Sequence, residues 1–148
     1  MKLRRMVFAA GVVCASVMLN GRAAWAASVD VCSLLTIGQV AALLGVPEVK
    51  AGAAPNRCIW TPAKYQKGAG DLTVIVEGAN DPSKMMGMGT PVSGIGDEAI
   101  QTNSEKSDYA VLHVRKGNTW FNVSVSHVPL DQATKMEQSI APQIASKL

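Results

Sequence analysis

The chain has 148 residues, of which 48% are hydrophobic and 17% charged, and its formal net charge is +3. Four of the fourteen basic residues and none of the eleven acidic ones lie within residues 1–26, so the remainder carries a net charge of about −1. No basic cluster stands in that remainder, which argues against nucleic acid as a partner. Residues 27–148 make one domain of ordinary size.

Residues 1–26 have the pattern of a secretory signal peptide. A basic start at residues 2–5 precedes an apolar run at 6–19, and Ala24 and Ala26 supply the small residues that signal peptidase reads. The run is shorter than the ~20 apolar residues of a membrane-spanning helix. We therefore expect a periplasmic or secreted protein that begins at Ala27 and has no stable membrane insertion.

Export decides how the cysteines are interpreted. Cys14 leaves with the signal segment, and Val13 before it does not fit a lipid-attachment motif, so a lipid anchor is not expected. Cys32 and Cys58 remain in a chain bound for an oxidising compartment, which predicts one disulfide bond. The alternative is a pair of buried thiols.

The first elements of the domain are a short helix and two strands. Thr36 and Gln39 form a capping box, and Gly45 followed by Pro47 supplies a stop, which predicts a helix over residues 37–44. Alternating patterns then predict strands at residues 57–61 and 72–77.

The second half begins with a helical turn or two predicted after Asp81-Pro82 and a strand at residues 98–102. A hairpin follows at 109–128. Asp131 is a candidate N-cap for a final helix, and Pro142 inside its apolar pattern predicts a kink or a split near Ala141.

The hairpin carries the clearest pattern. Gly117 and Asn118 suit a two-residue type II′ turn. Such a turn sets the register of the apolar positions. The expected pairs are Lys116 with Thr119, Val114 with Phe121, Leu112 with Val123 and Ala110 with Val125.

This order of elements predicts an α+β fold: a single antiparallel β-sheet with N-terminal and C-terminal helices packed on one face. Two helices of this length cover one face of a sheet, so we expect the opposite face to stay open. Its hairpin residues include the candidate recognition set of Tyr109, His113, Arg115, Trp120 and Asn122. Aromatic residues and arginine are common anchors of interfaces. The alternative is an ordinary cross-strand cation–π pair between Arg115 and Trp120.

Motifs for catalysis and for cofactors are weak. Met85, Met86 and Met88 could offer thioethers to cuprous ion, but methionine also fills gaps under loops. Asp97 and Glu98 are adjacent, which in a strand points them to opposite faces and does not suit a paired acid and base. We expect no cofactor.

Four short motifs in a fixed order carry a resemblance. They are Val31-Cys32-Ser33-Leu34-Leu35-Thr36, Cys58-Ile59-Trp60, Gly94-Ile95-Gly96-Asp97-Glu98-Ala99 and Val114-Arg115-Lys116-Gly117-Asn118. The chain resembles a family of small exported bacterial domains of unknown function, many of them lipoproteins. The resemblance implies an α+β domain with a disulfide between the early cysteine and the one before the tryptophan, and it carries no catalytic residues.

The leading functional hypothesis is a non-enzymatic binding or protein-interaction domain that recognises a protein or envelope component, including the case of an inhibitor or immunity factor. The alternatives are a small-ligand or copper-binding protein and a hydrolase.

Overall fold

The computed structural model describes residues 29–80, 89–104 and 109–148. The predicted signal peptide, the predicted helical turn after Asp81 and the candidate copper ligands Met85, Met86 and Met88 all lie outside these ranges. The elements are a 3-10 helix Val31–Leu34, α1 Ile37–Leu44, β1 Val49–Ala54, β2 Arg57–Pro62, β3 Asp71–Gly78, β4 Thr90–Pro91, β5 Glu98–Ser104, β6 Tyr109–Lys116, β7 Thr119–Ser126 and α2 Leu130–Ala145.

Seven antiparallel strands form one sheet in the order β1-β2-β3-β7-β6-β5-β4. The predicted α+β class, with one antiparallel sheet and two α-helices, is confirmed. Two strands were not predicted. β1 is built largely of alanine and glycine, which have little β-propensity, and it forms by pairing with β2. β4 has only two residues at the other edge.

The predicted hairpin is β6 and β7, and most of its register is confirmed. Lys116 pairs with Thr119, Val114 with Phe121 and Leu112 with Val123. Gly117 has a φ of 57° and Asn118 a negative one, as a type II′ turn requires. The expected pair of Ala110 and Val125 is wrong, because the ladder stops at Leu112. Val125 N instead donates to the Glu137 carboxylate at 2.9 Å.

Helix α1 begins and ends where its sequence predicts. The Thr36 hydroxyl accepts from Gln39 N, and the Gln39 side chain accepts from Thr36 N at 2.8 Å, which completes the capping box. Gly45 closes the helix in the left-handed region at a φ of 66°.

Helix α2 departs from the sequence prediction at both ends. Its N-cap is Pro129, which makes no side-chain cap bond, and Asp131 lies inside the first turn. The predicted split at Pro142 is absent, and the helix runs on to Ala145. Proline removes one backbone bond near the C-terminus, where the next bonds still form, including Ser146 N to Pro142 O at 3.1 Å.

The core is a single cluster of buried side chains drawn from the sheet and the helices. Its strand members alternate along β3, β6 and β7, and its helical members include Val40, Ile140 and Ile144. The predicted disulfide between Cys32 and Cys58 is present and ties the 3-10 helix to β2. Within the described residues, no helix is both long enough and apolar enough to cross a membrane.

Candidate functional site

The predicted recognition residues lie together on β6 and β7, on the face away from Leu112 and Phe121. This face is not open as expected. Tyr109 is 47% exposed, but His113 is 2% exposed and Trp120 4%. The expectation that His113 and Trp120 form an accessible surface is therefore wrong, and Trp120 has the burial of a core residue.

The expectation considered only the two helices as possible cover for this face. The chain leaves β3 at the third position of the sheet and reaches β4 at the seventh. Gly89, just before β4, lies so close to Ile100 and Thr102 that a Cβ atom would collide with the Ile100 side chain. Ile100 pairs with His113 and shares its face. Gly89 therefore lies against the face that holds His113. Residues 81–88 lie outside the described part of the chain.

His113 lies within a hydrogen-bonded row that crosses four strands. Its Nε2 lies 3.1 Å from Thr102 Oγ1, and its Nδ1 lies 2.8 Å from Asn122 Oδ1. Asn122 Nδ2 donates to Glu77 at 3.3 Å. A hydroxyl, an imidazole and an orienting amide in a row have the order of a nucleophilic triad. Burial of the imidazole favours a structural role, in which these hydrogen bonds satisfy the buried polar atoms of the row.

Arg115 is the cross-strand partner of Trp120, as the sequence predicts. Its Nε donates to Glu98 Oε2 at 3.2 Å, and its Nη1 donates to the carbonyl of Gly117 at 3.3 Å. The guanidinium therefore has partners within the fold. A cation–π contact of Arg115 with Trp120 stays a prediction.

The Gly-Ile-Gly-Asp-Glu motif anchors the tip of the hairpin. The Asp97 carboxylate accepts from Gly117 N at 2.7 Å and from Lys116 Nζ at 3.4 Å, while Asp97 N donates to Arg115 O at 2.8 Å. The hydrogen bond from Gly117 N, with a smaller contribution from Lys116, lowers the pKa of Asp97. The motif therefore has a structural explanation in this chain.

Glu137 is a buried carboxylic acid that was not predicted from the sequence. It is 0% exposed on α2 and accepts from Gln101 Nε2 at 2.7 Å and from Val125 N. Its side chain occupies the place where the β6–β7 ladder stops. Burial raises the pKa of Glu137 to about 7, and the two hydrogen bonds partly oppose this shift.

A cleft of about 520 Å³ lies at one end of the sheet, beside the loop that joins β2 to β3. Thr61, Tyr65, Asp71 and His127 are among the residues that line it. His127 Nδ1 lies 3.1 Å from Asp71 Oδ2, and His127 has a φ of 65°, the only positive value at a non-glycine residue among the described residues. No sequence motif marks these residues, because the C-terminal end of β7 and the loop between β2 and β3 meet only in the folded protein.

The two edges of the sheet differ. β4 is short and contains Pro91, whereas β1 has six residues and no proline. Four residues in a row on β1, from Lys50 to Ala53, are exposed. Among the described strands, β1 pairs only with β2.

The described residues contain no group of three or more His, Cys, Asp or Glu side chains placed to hold a metal ion. The candidate copper ligands Met85, Met86 and Met88 lie outside these residues. Comparisons with protein-family models, with curated proteins and with solved structures found no match.

Proposed function

We propose that this protein is an exported, non-enzymatic binding domain that holds an extended, acidic segment of a partner protein along β1. The observation that carries the proposal is the outer edge of β1, which pairs with no other strand in the described part of the chain. An extended peptide can add to such an edge as a further strand, with main-chain hydrogen bonds supplying affinity.

The hydrogen-bonding phase of β1 leaves several groups free for a partner. Ala63 N donates to Glu48 O at 2.9 Å, so residues in phase with Glu48 direct their backbone groups toward β2. The alternate residues Val49, Ala51 and Ala53 direct theirs outward. The phase also suits Pro62, which pairs with Val49 at a position that needs no N–H.

The side chains of β1 do little to block this edge. Natural proteins protect edge strands with proline, charges, bulges or short length. β4 uses short length and Pro91, but β1 carries only one charge, Lys50. Its alanines and its glycine let another backbone approach closely.

Charge points to an acidic partner. Lys50 and Arg57 share one face of the β1–β2 ribbon, and neither strand contains an acidic residue. Acidic side chains at alternate positions of an added strand would lie near these cations. A second copy of the chain would instead bring further cations to the same face. Such exposed pairs contribute specificity and association rate more than affinity.

The positions of the two helices and the signs of export also support the proposal. We infer that α1 and α2 both cover the face that holds Leu112 and Phe121, since their buried residues belong to one cluster with it. Among the described residues, the outer edge of β1 would then remain free for a partner. The Cys32–Cys58 bond and the Ala24-Trp25-Ala26 pattern support export to an oxidising compartment.

The test uses two synthetic peptides with alternating Val and Glu, or alternating Val and Lys, titrated by calorimetry. We expect the acidic peptide to bind more tightly. Ala51→Pro removes one outward N–H without touching the β2 ladder and should weaken binding about tenfold. Lys50→Glu should remove the peptide preference, because one anion then lies beside the remaining cation Arg57. Lys135→Glu makes the same charge change on α2 and should preserve the preference.

Three results would overturn the proposal. The first is equal binding of both peptides. The second is unchanged affinity in Ala51→Pro with an intact fold. The third is a concentration-dependent dimer, seen by sedimentation, that Ala51→Pro disrupts, because the edge would then serve a second copy of the chain.

A further inference from the structure

We propose a second, separate binding site: the cleft beside Tyr65 takes a short, neutral saccharide. This cleft is formed by the loop between β2 and β3 and by the C-terminal end of β7, and β1 contributes none of its lining residues. The proposal does not depend on strand addition.

The size of the cleft suits a small ligand. Its volume of about 520 Å³ falls within the range of about 300–1,000 Å³ typical of small-molecule sites. A second cleft of about 340 Å³ lies next to it, and Gln66 lines both. The two clefts together offer an extended site, as a ligand made of linked rings requires.

Tyr65 provides an apolar surface without a partner in the fold. Its side chain is 92% exposed, the largest value among the exposed hydrophobic residues of the described chain. A planar ring with a polar hydroxyl suits a ligand that is apolar on one side and polar at its edge. Sugar rings have this character, because their C–H groups form a weakly polar face and their hydroxyl groups radiate from the rim.

The polar groups of the cleft match hydroxyl groups. A hydroxyl both donates and accepts, so it needs donors and acceptors close together. The His127 Nδ1–H donates to the Asp71 carboxylate, which leaves His127 Nε2 and the second Asp71 oxygen for a ligand. Thr61 and Gln66 add a hydroxyl and an amide to the same walls.

The backbone at His127 is a second sign of function. A φ of 65° is uncommon for a residue with a side chain, although histidine adopts it more readily than most. Backbone strain of this kind concentrates at binding and active sites. Here it ends β7 and leaves the imidazole 71% exposed beside Asp71.

Charge favours a neutral ligand. The Asp71 carboxylate disfavours an anion in the cleft, and its pairing with His127 weakens the attraction it would offer to a cation. The adjoining cleft is lined by one group of each sign, Lys64 and Glu48, so it adds no net charge. Hydrogen bonding and ring stacking are then the main sources of affinity.

The test is an NMR titration of the full domain with glucose, galactose, N-acetylglucosamine, cellobiose, lactose and chitobiose. We expect at least one of these sugars to shift the amide signals of Tyr65, Gln66 and His127 at millimolar concentration. Tyr65→Ala should weaken binding about fivefold, and Tyr65→Phe should retain it because the ring remains. Tyr109→Ala removes the other exposed tyrosine and should have no effect.

His127→Asn keeps a residue that tolerates this φ and removes the imidazole, so it should weaken binding without unfolding the domain. Shifts confined to other surfaces, or no shifts with any of the six sugars, would overturn the proposal. Inorganic phosphate binding in the cleft would overturn it as well. The acidic peptide should bind Tyr65→Ala as tightly as the wild type, so failure at one site is distinguishable from failure at the other.

Discussion

Glu137 shows how one side chain can set the pH dependence of the fold. It is 0% exposed, and its pKa is raised from 4.5 to about 7. Between these pH values the folded protein keeps a proton that the unfolded chain releases. The contribution of Glu137 to the free energy of unfolding therefore falls as pH rises through this window, by about 3 kcal/mol in total, and changes no further above it.

Glu137→Gln should remove this dependence. The new amide can accept from Val125 N and donate to Gln101 Oε1 if the Gln101 amide rotates. We expect urea unfolding to show the variant more stable than wild type at pH 8 but not at pH 5. Glu48→Gln makes the same chemical change at an exposed position and should leave the wild-type profile intact. An unchanged profile in Glu137→Gln would contradict the assignment.

The residue scale also shows where sequence reasoning was insufficient. The alternation of β6 and β7 predicted which side each residue takes, and the register confirms it. It could not predict that His113 and Trp120 are buried, because an alternating pattern gives the side of the sheet on which a residue lies and not what packs against that side. The burial of Glu137 could not be predicted either, because its partners Gln101 and Val125 lie on β5 and β7 and come together with α2 only in the fold.

At the scale of elements, local signals were sufficient where they agreed with one another. The capping box and Gly45 predicted α1, and the Gly117-Asn118 turn predicted the hairpin. β1 could not be predicted, because its alanine and glycine residues become a strand only through pairing with β2. The split predicted near Pro142 does not occur, because a proline near a helix end costs less than one at its centre.

The hydrogen bonds of Asp97 with Arg115, Lys116 and Gly117 form a clasp between the segment before β5 and the hairpin tip. Two glycines in this segment give a matched pair of variants that test it. Gly94 and Gly96 both have positive φ, 82° and 60°. A Cβ at Gly94 would meet nothing within 4 Å, whereas one at Gly96 would lie 2.5 Å from Arg115 O. Gly94→Ala should therefore cost about 1 kcal/mol, from backbone strain alone. Gly96→Ala adds a collision with backbone and should cost more.

Chemical denaturation of the two variants measures the difference directly. We expect Gly96→Ala to lose at least about 1 kcal/mol more than Gly94→Ala. Equal losses would show that the clasp does not fix the hairpin tip against the segment before β5. In that case the hydrogen bond from Gly117 N to the Asp97 carboxylate would not be needed to hold the hairpin tip in place.

At the scale of the whole molecule, the fold class followed from the order of elements, and the disulfide followed from the inferred compartment. The number of strands and the identity of the two edge strands could not be predicted, because the unpredicted strands β1 and β4 are themselves the edges of the sheet. The proposed partner site and the proposed ligand site are surface features that arise only when separate segments meet. Neither has a periodic pattern that a sequence could display.

The disulfide is a covalent link between the 3-10 helix and β2, and its removal should lower stability. Cys32 and Cys58 are 26 residues apart, so opening this loop should cost about 3 kcal/mol, chiefly through the larger freedom of the unfolded chain. The variant with both cysteines changed to serine should melt about 10 °C lower. Its urea m-value should rise, because the unfolded chain exposes more surface. An unchanged melting temperature in the variant would contradict that mechanism. So would a further fall of the same size when reductant is added to the variant, which has no Cys32–Cys58 bond left to reduce.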